Sequence, residues 1–175
     1  MLIVGMDIAT QCGVADGEPG RTPRCFSWNM RKAGESRPAR LAMLAAYWSR
    51  YLDENRPDAV YYEAGMGLQA AMRVGTNDDT FALLRGAIGV VEATAYRHRI
   101  KVIQAVTVSD ARKHFTGRTS FPKGKGKDIV WQHCKMLGWP AKNLDESDAC
   151  AIFDYGCALS NPRTAHLSTE LFGRR

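Results

Sequence analysis

The sequence lacks any apolar run long enough to cross a membrane. A spanning helix needs about 20 mostly apolar residues in a row, and every apolar stretch here is far shorter. A basic segment before the first apolar run, Leu2–Met6, is also missing, which argues against a signal peptide. We therefore expect a cytoplasmic protein.

Paired cysteine motifs, internal repeats and a domain linker are missing as well. The five cysteines are odd in number and form no Cys-x-x-Cys pair, which argues against a disulfide framework and against a zinc ribbon. A chain of 175 residues suits one domain with its own core. We predict a single domain over residues 1–160 and a loosely ordered tail over residues 161–175.

Positive charge is in excess. The formal net charge is +6, which favours an anionic partner such as nucleic acid but carries no information about the fold.

The order of the predicted elements is typical of an α/β protein. Strands are predicted at residues 2–7, 12–15, 25–28, 59–63 and 101–105, and helices at 38–55, 78–99, 109–115, 128–137 and 145–159. Asp16-Gly17 predicts a tight turn between the second and third strands, and Asn77 or Asp78 is expected to cap the second helix. A right-handed crossover would pair the fourth strand parallel to the first and bring Glu63 beside Asp7.

Four acidic residues stand where such elements end or begin. Asp7 and Glu63 end the first and fourth strands, and Asp145 and Asp148 open the last helix. A charge at the end of a buried strand is costly unless it is compensated, and divalent cations compensate carboxylates well. Two such ions about 3.5–4 Å apart are the general apparatus for attack on a phosphodiester. The pattern therefore predicts a metal-dependent nuclease.

Helix capping is the alternative explanation for these acids. Carboxylates at a helix N-terminus are favoured by the dipole, and an isolated Asp-x-x-Asp is more often a cap than a metal site. Capping would, however, require separate explanations for Asp7, for Glu63 and for the Asp145–Asp148 pair.

The ordered set of motifs resembles the RuvC family of Holliday junction resolvases, in the ribonuclease H-like superfamily. The similarity spans about residues 2–159. It rests on Ile3–Thr10 with Gly13–Ala15, on Val60–Glu63, on Leu84–Val91, on Gly124–Val130 and on Asp145–Ala151.

The resemblance implies a fold, an activity and a cofactor. The fold would be a mixed five-stranded sheet, with three antiparallel strands and then two parallel ones, flanked by helices. Asp7, Glu63, Asp145 and Asp148 would hold two Mg²⁺ ions, which Mn²⁺ can replace; one would activate water and the other would stabilise the leaving oxygen. The chain would act as a homodimer that resolves four-way and related branched DNA by paired nicks.

A basic, glycine-rich segment precedes the last acids. Lys123, Lys125 and Lys127 alternate with glycines that allow close approach to a phosphate. The resemblance gives Lys127 a catalytic place near the scissile phosphate, where it would stabilise developing charge. Arg118, Arg112 and Lys113 are further candidates for DNA contact. The alternative for this segment is a solvated loop without a role.

The segment after Glu63 departs from the family. Members often carry an aromatic wedge there, whereas this chain has Met66 and Leu68 as its bulky apolar residues. We interpret Met66 as a DNA contact and the chain as a divergent or phage-type member.

Three other functions are compatible with parts of this pattern. Another ribonuclease H-like nuclease, acting on RNA–DNA hybrids or flaps, would need the same four acids. A dimer that binds branched DNA without cutting it would not need them. An actin-like nucleotide-binding protein shares the early aspartate, but Ile8–Gln11 makes a poor phosphate loop.

Overall fold

A five-stranded mixed sheet with helices on both faces organises the chain. The computed structural model describes residues 1–34, 36–65, 67, 75 and 77–161. The strands are β1 (Ile3–Asp7), β2 (Gln11–Gly17), β3 (Arg24–Asn29), β4 (Ala59–Glu63) and β5 (Val102–Val106). The helices are α1 (Arg37–Asn55), α2 (Asp78–Arg97), α3 (Val108–Thr116), α4 (Gly126–Met136) and α5 (Leu144–Ser160), with a short 3₁₀ helix at Met30–Ala33.

The sheet has the predicted topology. Its strand order is β3-β2-β1-β4-β5; β1, β2 and β3 pair antiparallel, whereas β1, β4 and β5 pair parallel. Asp7 lies opposite Gly13, and Met6 lies opposite Tyr62. Asp7 and Glu63 therefore leave the same edge of the sheet from neighbouring strands, as the crossover argument predicted.

Alternation along β1 divides the core into two halves. Ile3 belongs to a cluster with α5, whereas Val4 and Met6 belong to a cluster with α1 and α2 that includes Trp48 and Val91. Because β1 is buried on both faces, a charged residue fits only at its end, which is where Asp7 stands.

Glycines allow α5 to lie directly against the sheet. A side-chain carbon added at Gly5 would overlap the backbone of Phe153, and one added at Gly13 would overlap the carbonyl of Asp145. The bare backbone of β1 and β2 thus sets the distance between α5 and the sheet. That distance in turn sets the position of Asp145 and Asp148 at the start of α5.

The predicted turn at Asp16-Gly17 is wrong. Strand β2 continues through Gly17, and the chain turns afterwards, where the Arg21 amide donates to the Glu18 carbonyl at 3.1 Å. Asp16 is 2% exposed; it accepts hydrogen bonds from Arg24 at 2.9 and 2.6 Å and also from the Tyr51 hydroxyl. A carboxylate with these long-range partners is stable within a strand, and such partners are invisible to a local turn rule.

Helix boundaries agree closely with the predictions, with two points settled by the structure. Asn77 caps α2 by accepting from the Thr80 amide at 2.7 Å. Helix α4 begins at Gly126 rather than at residue 128, so Lys127 is helical and not part of the loop.

The two glycines inside α2 have different surroundings. A side-chain carbon at Gly86 would lie 2.9 Å from Leu41 Cδ1, whereas one at Gly89 would meet no atom within 4 Å. Gly86 is therefore explained by packing within the chain.

Two further expectations concern the ends and the membrane. In the described part of the chain, no helix is both long and apolar enough to span a bilayer. The predicted tail lies outside the described residues, apart from Asn161.

We expect Gly5→Ala to lower the free energy of unfolding by about 3 kcal/mol, because the added methyl group overlaps the backbone of α5. Gly89→Ala is the matched control; it should raise stability by about 0.5–1 kcal/mol, since alanine favours a helix and meets no neighbour. Urea unfolding measures both changes. Equal stability of Gly5→Ala and the wild type would contradict the close approach of α5.

Candidate active site

The four predicted acids meet at one edge of the sheet. Asp7 and Glu63 leave the carboxyl ends of β1 and β4, and Asp145 and Asp148 lie in the first turns of α5, which packs across β1 and β2. Lys127, near the start of α4, contacts three of them.

Asp7 and Glu63 form a carboxyl pair. Asp7 is 2% exposed, and its side chain is hydrogen-bonded to that of Glu63. Two carboxyl groups can share a hydrogen bond only when one of them holds a proton. Burial, followed by the hydrogen bond and the charge of Glu63, raises the pKa of Asp7 to about 8, although the Lys127 ammonium opposes the shift. Without a further cation, the Asp7–Glu63 pair therefore holds a proton at neutral pH.

The ammonium of Lys127 occupies the point where three aspartates converge. Its Nζ lies 2.8 Å from Asp145 Oδ1, 3.4 Å from Asp7 Oδ2 and 3.4 Å from Asp148 Oδ2. Burial disfavours the charged ammonium, but the three carboxylates outweigh it and raise the pKa of Lys127. Lys127 is thus an internal counter-ion of the acidic cluster.

Asp148 is held by a second cation. Arg112, on α3, donates from Nε to Oδ1 at 2.8 Å and from Nη2 to Oδ2 at 2.6 Å. Asp148 is 1% exposed, and the planar fork fixes the orientation of its carboxylate. Gly126 makes room for this pair, because a side-chain carbon there would lie 2.8 Å from Arg112 Nη1.

Capping does not account for Asp148, although Asp145 lies in the first turn of α5, where the helix dipole favours a carboxylate. The cap is Asn143, which accepts from the Glu146 amide at 2.9 Å, and Asp148 lies beyond the first turn. Glu146 turns away from the cluster and accepts from Ser27 Oγ at 3.0 Å and from the Lys142 amide at 2.9 Å. This residue, to which sequence reasoning gave no role, binds the start of α5 to β3.

The donor set fits divalent cations, although not without rearrangement. In the described part of the chain, no group of three or more His, Cys, Asp or Glu side chains is arranged to hold a metal ion as it stands. The Lys127 ammonium stands at the convergence point instead, and a proton on the Asp7–Glu63 pair supplies further compensation. Four carboxylates facing two cationic side chains leave negative charge uncompensated, and hard carboxylate oxygens are the ligands that Mg²⁺ and Mn²⁺ prefer.

The structure brings only some of the predicted basic residues into the cluster. Lys127 and Arg112 contact the acids, whereas Lys113, Arg118, Lys123 and Lys125 are exposed. Arg118 and Lys125 line a cleft of about 550 Å³ between the end of α3 and α4. Met66 and Leu68, the predicted wedge residues, lie outside the described residues.

The pairing of Arg112 with Asp148 was not foreseen. From the sequence, Arg112 was a candidate DNA contact. Its pairing with Asp148 could not be predicted, because residues 36 positions apart give no local pattern that links them. The one pointer in the sequence is the placement of Arg112 in a short helix directly after the fifth strand, at the same edge of the sheet as the acids.

Solved structures share this architecture although the sequences differ. No family model and no curated protein matches the chain. A Thermus thermophilus RuvC structure in complex with Holliday junction substrate matches with a TM-score of 0.67 at 17% identity, covering 94% of this chain and 97% of that one. The chain has a RuvC-like resolvase fold.

Two further structures agree with this assignment of the fold. Another Thermus thermophilus RuvC structure has a TM-score of 0.63 at 17% identity and covers 91% of this chain and 96% of its own. The yeast mitochondrial Holliday junction resolvase Ydc2 has a TM-score of 0.62 at 9% identity and covers 97% and 84%, respectively. The predicted ribonuclease H-like sheet is thereby confirmed.

We expect the stability of the metal-free protein to fall as the pH rises from about 4 to about 8. Folded Asp7 keeps its proton up to about pH 8, whereas the unfolded residue loses it near its ordinary pKa of 3.8. The folded state therefore binds one proton more over this range, and its stability decreases with pH. Asp7→Asn should remove this slope and raise the melting temperature above about pH 8.

Thermal unfolding in EDTA across this pH range measures the effect. Asp79→Asn, an exposed acid in the first turn of α2, is the control and should keep the slope of the wild type. Parallel pH profiles for Asp7→Asn and the wild type would contradict the carboxyl pair.

Proposed function

We propose that this chain is a divalent-metal-dependent endonuclease that resolves four-way and related branched DNA by paired nicks. One observation carries the proposal. Three aspartate oxygens surround the Lys127 ammonium next to the Asp7–Glu63 carboxyl pair, at the strand ends of a RuvC-like fold.

The acidic cluster would hold the metal. Asp7, Glu63, Asp145 and Asp148 would bind Mg²⁺ or Mn²⁺, which supplies an activated water and stabilises charge on the leaving oxygen. Asp7 has to give up its proton for this to happen, because a protonated carboxyl is a poor ligand. Lys127 has to withdraw from the convergence point of the aspartates.

Lys127 then becomes the cation nearest to a substrate phosphate. Its side chain is 39% exposed, so the ammonium can turn from the aspartates towards DNA without leaving the site. A fixed positive charge at that place stabilises the charge that develops on a phosphodiester under attack. Arg112 acts through Asp148, whose orientation it fixes, and is a positioning residue.

The exposed cations beside the cluster supply affinity for the DNA backbone. Lys123, Lys125, Arg118 and Lys113 are exposed on or next to α3 and α4, which carry the two cations of the site. Contacts of this kind position a backbone without reading its bases and give affinity that falls with salt.

Paired nicks require two active sites, and therefore a homodimer. A side-chain carbon added at Gly89 would meet no atom within 4 Å in the described part of the chain, which leaves that point of α2 open to close packing against a partner. The matched Thermus thermophilus RuvC structure holds Holliday junction substrate. That observation supports branched DNA as the substrate class here.

Cleavage of an immobile four-way DNA junction with Mg²⁺ tests the proposal, beside matched duplex, flap and RNA–DNA hybrid substrates. We expect symmetric nicks in the junction alone. Cleavage of the hybrid or flap instead would support a nuclease site at the acids but would contradict four-way DNA as the substrate. Tight junction binding without cutting at any Mg²⁺ concentration would identify a non-cleaving binder.

Two substitutions separate chemistry from binding. Asp7→Asn should reduce cleavage by at least about 10²-fold while junction binding in Ca²⁺ persists, because the acid contributes to the reaction and not to phosphate contact. Loss of binding by a folded Asp7→Asn protein would contradict that role.

Lys127→Gln and Lys125→Gln form a matched pair of lysine changes two residues apart. The first should lower kcat about 10²-fold, since it removes a charge from the reacting centre. The second should leave kcat unchanged and reduce the salt slope of binding by about 1. Equal effects of the two substitutions on kcat would contradict the special place of Lys127.

A further inference from the structure

A cleft of about 370 Å³ lies at the end of the sheet opposite the acids. It is lined where α1 and α2 end and where β4 and β5 begin, by Leu52, Asp53, Arg56, Pro57, Asp58, His98, Arg99, Ile100 and Lys101. The acids leave the carboxyl end of β4, so the length of that strand, about 16 Å, separates the two places. A ligand in this cleft cannot be the group that reacts at the acidic site.

Three cations of the cleft have no partner within the described part of the chain. Arg56, Arg99 and Lys101 are exposed, and none takes part in an ion pair or a side-chain hydrogen bond among those residues. The two acids of the cleft are engaged elsewhere. Asp53 Oδ1 pairs with His98 Nε2 at 3.1 Å, and Asp58 Oδ2 accepts from the Leu2 amide at 2.8 Å.

Both arginines occupy backbone positions that favour glycine. Arg56 has φ 47° and Arg99 has φ 58°, and they are the non-glycine residues with positive φ in the described ranges. Arg56 ends α1, where its amide donates to the Leu52 carbonyl at 3.0 Å; Arg99 follows α2, where its amide donates to the Tyr96 carbonyl at 2.9 Å. Glycine is the usual residue at such left-handed helix ends, because it carries no side chain to strain the backbone.

The attraction of a helix C-terminus for cations explains only part of this arrangement. Arg97 already supplies a basic residue in the last turn of α2, so Arg99 is not needed there, whereas α1 has none in its last turn and Arg56 takes that place. Here the left-handed residue itself is arginine at two separate helix ends, and both side chains line one cleft with a lysine. Guanidinium groups bind phosphate oxygens through paired N–H donors.

We propose that this arginine cleft, formed around Arg56, Arg99 and Lys101, binds phosphate groups of a nucleic-acid backbone away from the acidic site. The inference requires the chain to bind nucleic acid but not to cut it. The cleft would hold a DNA segment other than the one at the reacting centre and would add to affinity without reading sequence.

The double substitution Arg56→Gly with Arg99→Gly tests the cleft while protecting the fold. Because glycine relieves the positive φ at both positions, the melting temperature should stay equal or rise. Binding to a long-armed four-way junction and to linear duplex is measured in EDTA over a series of salt concentrations. We expect the salt slope to fall by about 1.8, or about 0.9 for each lost phosphate contact, and the affinity to fall about tenfold.

Arg21→Ala with Arg31→Ala is the matched control, because neither arginine forms an ion pair in the described part of the chain. It removes the same net charge from two exposed arginines outside the cleft and should leave the slope near that of the wild type. Equal slopes for the two double variants would overturn the proposal. Lys101→Glu, a single exposed change, gives an independent measurement and should weaken binding more than the control does.

Inorganic phosphate and pyrophosphate distinguish a free anion from a backbone. In one outcome these anions raise the melting temperature of the wild type but not that of the double glycine variant, and the two proteins bind DNA equally well. The cleft would then bind a free anion, and the proposal that it binds a nucleic-acid backbone would be overturned. A wild type that binds no DNA would overturn both this inference and the proposed function. DNA binding that is intact in the double glycine variant would overturn this inference alone.

Discussion

The contact between α5 and the bare backbone of β1 and β2 determines where the acidic side chains can stand. Gly5 and Gly13 allow the helix to approach until its backbone touches the sheet. At that distance the first turns of α5 lie beside the end of β1, and Asp145 and Asp148 join Asp7. Glu146 holds the same helix end to β3 through Ser27, so the position is fixed from two sides. A helix resting on ordinary side chains would carry its carboxylates farther from β1.

This placement brings several carboxylates close together, and three features of the chain compensate their negative charge. A proton on the Asp7–Glu63 pair removes one negative charge, Lys127 approaches three aspartates, and Arg112 binds Asp148 through two hydrogen bonds. Burying carboxylates without such partners is strongly unfavourable. The acidic cluster therefore lowers the stability of the fold, since the substitution that removes the buried acid also removes the free-energy cost of burying it.

The sheet and most helix boundaries could be predicted because they depend on local patterns. The apolar runs that end in Asp7 and Glu63 predicted two strands. The rule of right-handed crossovers predicted that these strands are parallel neighbours, as the structure shows. The turn predicted at Asp16-Gly17 was wrong because the turn rule considers only these two residues. Hydrogen bonds from the distant Arg24 and Tyr51 hold Asp16 within β2. The meeting of the four acids at one edge of the sheet was likewise predictable, but the pairing of Arg112 with Asp148 depends on how α3 packs against α5, which no spacing encodes.

The ion pairs of Lys127 bear on whether the protein can fold before it binds any ion. A cation attached to the chain is present from the moment of synthesis, so the acids can be brought together before any ion arrives from solution. Under the proposed function, folding and metal binding would be separate events, unlike those of small metal domains that remain unfolded until they bind their ion. An incoming ion would compete with a tethered amine at high local concentration. The occupancy of the site would then be set by how much free divalent cation the surroundings supply.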